Sequence, residues 1–584
     1  MERRNTLQTL ELILSKVNPY EETALQPKKR ACLETDLTEA TKESTVWREE
    51  QVGMQPPFTP IDAYAEDGAP TIMARKNVSS CLQSFLCFIT PDMLNNIKEW
   101  TVKHAQAELD DWTIGIPELM AFIAIVILRG LSKVPSLRDC WSANLGNPQI
   151  MGTMSRNRFQ SIMRHLRFDD RSTRSERAKT DKFAAISTLW ESFVANCITS
   201  YNPGRHITID EQLFPSKTRC CFLQYSATKP DKFGIKFWVA CDLKSKYICN
   251  VLPYLGKDAS SPGGERLSAN VVMKLIGPFL DQGRNVTTDK FFTSLSLAQQ
   301  LLSRKTTILG TVNKIPQEIR QSTRQADRNE YTTRVFSTAD ATLTLYAPKR
   351  KKVVCILSSM HSVVQTDDTT KRKPNTVTLY NITKRGVDAM DQMLREYTVR
   401  TGTRRWPVAV FYNMIDMAAL NAHVLYQACA GKQERRVDFL AELARELANS
   451  HLGAKEARKE QLLRQQSSTP NSGKRAMCQV KHQCKNNHAT VRCVDCYRYT
   501  CGKCRREIPW QCQDYDDDDD DDDDVYSGWQ PQVALFPSLQ RRVSVSGFCG
   551  EKYHKYCSPQ RSPPRLHLHS DLFSGSRTAL LDFM

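Results

Sequence analysis

No apolar run in this sequence is long enough to cross a lipid bilayer as a helix. The longest, Leu119 to Leu128, falls short of the roughly 20 apolar residues such a span requires, so no membrane partner is expected. A secretory leader is missing too: MERRNTLQTLELILSK has no apolar core followed by small residues. The 20 cysteines are therefore expected to meet a reducing compartment rather than pair as disulfides. Acidic residues are also scarce. Lys and Arg number 81 against 64 Asp and Glu, and nine of those acids lie in the single run Asp516 to Asp524. The rest of the chain is strongly basic, and a polyanionic partner follows, because phosphate neutralisation is the main source of nucleic-acid affinity.

Periodicity divides the remainder. Residues 1–80 mix charge, Pro and Thr without a lasting pattern and read as a disordered arm. Within it, Lys28-Lys29-Arg30 is a basic cluster of the kind found both in import signals and in flexible tails. Residues 81–202 repeat apolar positions at helical spacing: Phe85, Phe88, Met93, Ile97, Trp100, then Leu119 to Leu131, then Phe159, Ile162, Met163 and Leu166. After Pro203-Gly204 the pattern alternates. Strands are expected at His206 to Ile209, Phe233 to Leu243 and Tyr247 to Leu255, then a helix, a short strand near Val286, a helix at Leu295 to Leu302 and a strand at Thr307 to Val312. That order is an RNase H-like α/β domain over 203–312. A basic, β-rich insertion over 313–375 separates it from its last part, 376–434. A helical, highly charged linker that becomes Ser- and Gln-rich is expected over 435–474, a cysteine-rich module over 475–513 and a disordered acidic tail over 514–584.

Two-metal phosphodiester chemistry needs a few carboxylates converging from different elements, since Mg²⁺ prefers hard oxygen ligands and two ions must flank the scissile phosphate. Asp210 and Asp289 each end an expected strand; Asp388 and Asp391 share one face of an expected helix. Glu211 and Asp242 are rivals on the same strands, and strand alternation turns Glu211 away from Asp210. Spacing alone does not choose among them. The cysteines choose better. Cys493-x2-Cys496 and Cys501-x2-Cys504, with Cys478, Cys484 and His488 before them and Cys512 after, supply eight ligands for two structural Zn²⁺ sites.

Ile207-Thr208-Ile209-Asp210-Glu211-Gln212, Lys229-Pro230-Asp231-Lys232-Phe233-Gly234, Thr288-Asp289-Lys290-Phe291-Phe292-Thr293 and Gly386-Val387-Asp388-Ala389-Met390-Asp391-Gln392-Met393, followed by Arg404-Arg405-Trp406-Pro407, resemble the piggyBac transposase family from about Phe88 to Cys512. The resemblance implies that Asp210, Asp289 and Asp388 hold Mg²⁺ or Mn²⁺, with Asp210 bridging two ions and Asp391 an additional acid. It implies excision through hairpin ends, reinsertion at TTAA, a nuclear location and a homodimer acting on double-stranded DNA. The helical block would serve dimerisation and DNA binding. Arg404, Arg405, Arg505 and Arg506 are expected DNA contacts, the last two beside the zinc module with Arg492, Arg498 and Lys503.

Two departures stand out. Lys290 replaces the Asn usual beside the second acid, and Cys512 is followed three places on by Tyr515 instead of a second cysteine. His482, Cys549 and Cys557 are then alternative last ligands. The competing functional reading is a domesticated, catalytically silent DNA-binding protein; a zinc-dependent interaction module on an inert scaffold ranks below it.

Overall fold

The computed structural model describes residues 47–54, 61–227, 231–256, 264–312, 329–350, 352–468, 476–479, 487–491 and 499–504. Several of its helices begin at a hydroxyl cap or a Pro. Thr90 caps Pro91–Gln106, its side chain accepting from the Met93 amide, and Ser155 caps Arg156–His165 through Arg158. Helix Ile116–Ser132 is apolar on nearly every side and buries Leu119 and every residue from Ala121 to Leu128, the pattern of a core helix rather than an amphipathic one.

The strands are β1 (Arg48–Glu50), β2 (Ala69–Pro70), β3 (Tyr201–Asn202), β4 (His206–Pro215), β5 (Leu223–Tyr225), β6 (Phe233–Asp242), β7 (Ile248–Pro253), β8 (Asn285–Thr288), β9 (Thr307–Thr311), β10 (Thr333–Ser337), β11 (Thr342–Lys349), β12 (Lys352–Ser358), β13 (Ala476–Met477) and β14 (His488–Ala489). A ten-stranded mixed sheet runs β1-β10-β11-β12-β9-β8-β4-β6-β5, with β7 also on β6. Only β4–β8 and β8–β9 are parallel pairs within it. Such pairs need crossovers: the segment from β6 to β8 contains β7 and helix Gly264–Ile276, and helix Leu295–Leu302 links β8 to β9.

The helical block and the sheet share one core. Trp190 stacks on Phe237 at 5.0 Å, and Tyr201 stacks on Tyr247 at 4.3 Å; each ring buries more apolar area than an aliphatic side chain. Helix Trp406–Ala430 crosses this core. It is the one helix among the described residues long and apolar enough to span a bilayer, and 94% of its apolar window is buried inside the protein.

Three segments differ from their sequence patterns. Part of the expected arm is built in: β1 pairs with β10, Arg48 opposite Ser337. The segment expected as an insertion contributes β10 to β12, which extend the main sheet past β9, so their alternating apolar positions pack into an existing layer. The segment expected as a helical linker, 435–474, does hold a 33-residue helix, Arg436–Ser468, but one packed into the core. Its charge hides a stripe, Phe439, Leu440, Leu443, Ala444, Leu447 and Ala448, all buried against helices Ile116–Ser132 and Cys81–Leu86. Stripe spacing, not overall polarity, decides burial. The expected tail 514–584 lies outside the described residues.

Candidate active site and metal centre

Asp210 and Asp289 are brought level by strand register. Parallel pairing sets Ile209 beside Thr288, so the next residue on each chain emerges at the same height, at the carboxyl end of β8, where α/β sheets place their ligands. Both acids are half-buried. The Asp210 carboxylate accepts from the Glu211 amide at 2.7 Å, and that of Asp289 from the Phe291 amide at 2.9 Å. Burial, assisted by the charge of Glu211, pushes the Asp289 pKa up despite its amide bonds.

Tyr380 reports on both acids. Its hydroxyl lies 3.2 Å from Thr311 Oγ1, and its pKa is raised by burial and then by the negative charges of Asp289 and Asp210.

The third acid arrives on helix Gly386–Glu396. A Cβ on Gly386 would stand 2.3 Å from Thr208 Oγ1 and 2.7 Å from Thr208 Cβ, so only glycine lets the helix start against β4. Thr208 also donates to the Thr383 carbonyl at 2.6 Å, tying the preceding helix, Asn375–Thr383, to the same strand. Thr208 and Asp210 point to one face by alternation, and this contact delivers the first turn, with exposed Asp388, to that face. Asp391, one turn on, is ion-paired to Arg395 at 3.0 Å, which also reaches Asp231 at 3.2 Å and the Leu213 carbonyl.

The rivals resolve differently. Asp242 is buried and closes a turn, accepting from Gly204 N at 2.9 Å and from Ser245 N and Oγ at 2.8 and 2.7 Å. Glu211 is salt-bridged to Lys236, whose ammonium sits 3.8 Å from the centre of the Trp238 ring. The Lys236, Trp238 and Phe291 cluster beside Asp289, where Phe291 stacks on Trp238 at 5.5 Å, was not singled out in the sequence. Arg395 escaped notice as well; its i+4 spacing from Asp391 was the available signal.

Of the basic residues, Arg404 is exposed. Arg405 instead donates to the Met163, Arg164 and Leu166 carbonyls. Burial, then the charge of Arg167, lowers its pKa to about 10. Arg505 and Arg506 lie outside the described residues.

The sulfur atoms of Cys478, Cys501 and Cys504 all lie within 4.8 Å of one another, and all three residues are buried. Cys501 N donates to Cys478 Sγ at 3.5 Å, the amide-to-sulfur bond that steadies a thiolate. Three converging soft donors suit zinc. This is the only such trio among the described residues, so the aspartates do not gather around a single point. A site of two ions does not require that, since each ion needs only the bridging acid and one other. His488, in β14 opposite Met477, is exposed and stands apart from the trio. Cys484, Cys493, Cys496 and Cys512 lie outside the described residues.

A family model described as Transposase IS4 matches residues 80–423. Human PiggyBac transposable element-derived protein 3 is 22% identical over 422 residues, which cover 67% of each chain. A human chimeric ERCC6-PGBD3 protein has the same identity over the same length, but only 38% of it is covered. A solved structure, described as the cryo-EM structure of piggyBac transposase synaptic complex with hairpin DNA, is 31% identical with a TM-score of 0.64. The match covers 77% of this chain and 99% of that one.

Proposed function

The chain belongs to the piggyBac family of transposases, and on that premise we propose that it excises and reinserts DNA through an RNase H-like site built on Asp210, Asp289 and Asp388. The observation that carries the reading is the register of β4 and β8, which sets Asp210 and Asp289 level while Gly386 seats the helix bearing Asp388 on the same strand. The acids fit divalent ions: they are hard oxygen donors, and burial of Asp289 beside Glu211 favours a compensating cation. Asp210, Asp289 and Asp388 are the residues that would hold the ions. Bound Mg²⁺ or Mn²⁺ supplies activation of the attacking oxygen and stabilisation of the leaving one.

The chain's own residues do the rest. Arg395 ties Asp391 to Asp231, and the Tyr380 hydroxyl is bonded to Thr311 on β9, the strand beside β8. Target choice at TTAA, hairpin ends, a nuclear location and a homodimer joining two ends come with the family reading. Structural zinc would be held by Cys478, Cys501 and Cys504, with Cys484 among the further ligands that the sequence offers. Cys493, Cys496, Cys512 and His488 are candidates for a second ion. Arg505 and Arg506 extend the DNA contacts of that module, and Arg404 those of the core.

The test is cellular excision of a marked element carrying the native flanking ends. Wild type is expected to excise seamlessly, and Asp210→Asn, Asp289→Asn and Asp388→Asn each to fall below detection while purified protein still binds the ends. A wild type that binds but does not cut supports the silent DNA-binding reading, which Lys290 beside Asp289 and Tyr515 after Cys512 favour.

A further inference from the structure

Phe291 stands two residues beyond Asp289 and keeps 49% of its surface in solvent, although a ring of that size gains free energy from burial. Its backbone N–H donates to the Asp289 carboxylate at 2.9 Å, so the ring is carried within one short turn of the acid. Packing then sets its direction. Buried Trp238 covers one face of Phe291, with ring centres 5.5 Å apart and planes 15° from parallel, and buried Phe292 meets it edge-on at 5.0 Å. Trp238 is fixed in turn. Phe292 abuts it at 5.1 Å and Tyr254 at 5.9 Å, both edge to face, and the Lys236 ammonium lies 3.8 Å from its ring centre. Lys236 is itself held by Glu211. Phe291 is therefore a preoriented ring, packed behind and open in front.

The size of this open face decides what covers it. A protein partner buries about 800 Å² a side, far more than one ring supplies. A single nucleobase matches it: stacking needs only a flat π face, and every base has one. A base reaches such a ring by leaving its helix, which costs least where pairing is already interrupted. Phosphodiester cleavage at Asp210 and Asp289 brings the nucleotides beside the scissile bond within reach of Phe291, because the ring and the Asp289 carboxylate share one turn.

We infer that Phe291, braced by Trp238, is a stacking platform for one unpaired nucleobase next to the scissile phosphate. The inference rests on the DNA-processing reading of the same site and makes Phe291 a substrate-positioning residue outside the metal-binding set. A base held there fixes the adjoining phosphodiester relative to the acids, so that binding free energy is spent on orientation. It also gives the site a preference: an end with an unpaired nucleotide at the cleavage position binds more tightly than a fully paired one.

The test measures binding of the full chain to two labelled DNA fragments carrying the native flanking ends, one fully paired and one with a single unpaired nucleotide at the cleavage position. Neither Mg²⁺ nor Mn²⁺ is added, so that neither fragment is cut. Wild type is expected to prefer the unpaired form roughly tenfold, Phe291→Ala to bind both alike, and Phe291→Trp to keep the preference. Phe291 is half in solvent, and unchanged thermal unfolding checks that the variants fold. A merely structural role would weaken binding to both fragments equally, and that outcome overturns the platform. So does a wild type without the preference, or a Phe291→Ala variant that retains it; in each case binding of the ends leaves the transposase reading standing. Failure of wild type to bind either fragment overturns both.

Discussion

Asp416 shows how much one buried carboxylate governs beyond the site. It accepts from Thr398 Oγ1 at 2.6 Å and from Val399 N at 2.9 Å, pinning the chain that leaves the acid-bearing helix. Burial still lifts its pKa to about 7. The folded state therefore holds this proton more tightly than the unfolded chain, whose value is 3.8. Its full contribution is present below about pH 4 and is lost as pH rises toward about 7, a change of roughly 4 kcal/mol. Asp416→Asn is expected to flatten stability against pH across that window and to exceed wild type in stability at pH 8. Denaturant unfolding from pH 4 to 8 checks this, and an unchanged slope would refute it. Gly386→Ala is expected to behave in the opposite sense at every pH. Its methyl collides with Thr208, so stability should drop by roughly 1–3 kcal/mol and excision should fail with it; a variant that unfolds and excises like wild type would show that the helix start is not fixed. The placing of Asp210 and Asp289 at strand ends was legible from alternation, whereas their choice over Asp242 rested on motif likeness alone. Only the turn closed by Gly204 and Ser245 reveals Asp242 as architectural.

At the level of elements, Arg405 is a helix terminator whose donors satisfy orphan carbonyls of Arg156–His165. Arg405→Ala is expected to cost about 2 kcal/mol, because it strips a charged donor from part-buried carbonyls, and Arg405→Lys to recover only part of that, having no planar fork. Chemical denaturation decides it; loss of DNA affinity without loss of stability would make Arg405 a ligand contact instead. The sequence marked Arg404 and Arg405 as equals, since adjacency says nothing of which side chain turns inward. A similar blindness affected Arg436–Ser468, where charge masked a core stripe. The β-rich character of 313–375 was legible, but the membership of its strands in the main sheet depends on hydrogen bonds to β9, which no local pattern encodes.

Across the whole molecule, the cysteine-rich module forms an apolar cluster of its own around Cys478, Ala489, Cys501 and Cys504. Too small to be held by apolar burial alone, it should depend on metal. Purified protein is expected to contain zinc by elemental analysis, and Cys501→Ser to lose it while the main core melts at an unchanged temperature. A protein that is zinc-free as isolated, with its cysteines reduced, would remove the metal from the account. What the sequence determined by itself was whatever is written in local order: the charge surplus, the alternation of strands, the helix caps, the ligand spacing Cys501-x2-Cys504 and the family motifs. What the tertiary structure decided was everything set by proximity between distant segments. Register sets Asp210 and Asp289 level, a missing Cβ lets the helix that carries Asp388 start against β4, and Arg405 joins two basic segments more than 200 residues apart. Propensity and periodicity act through a few bonds along the chain, whereas charge crowding and steric fit act through space.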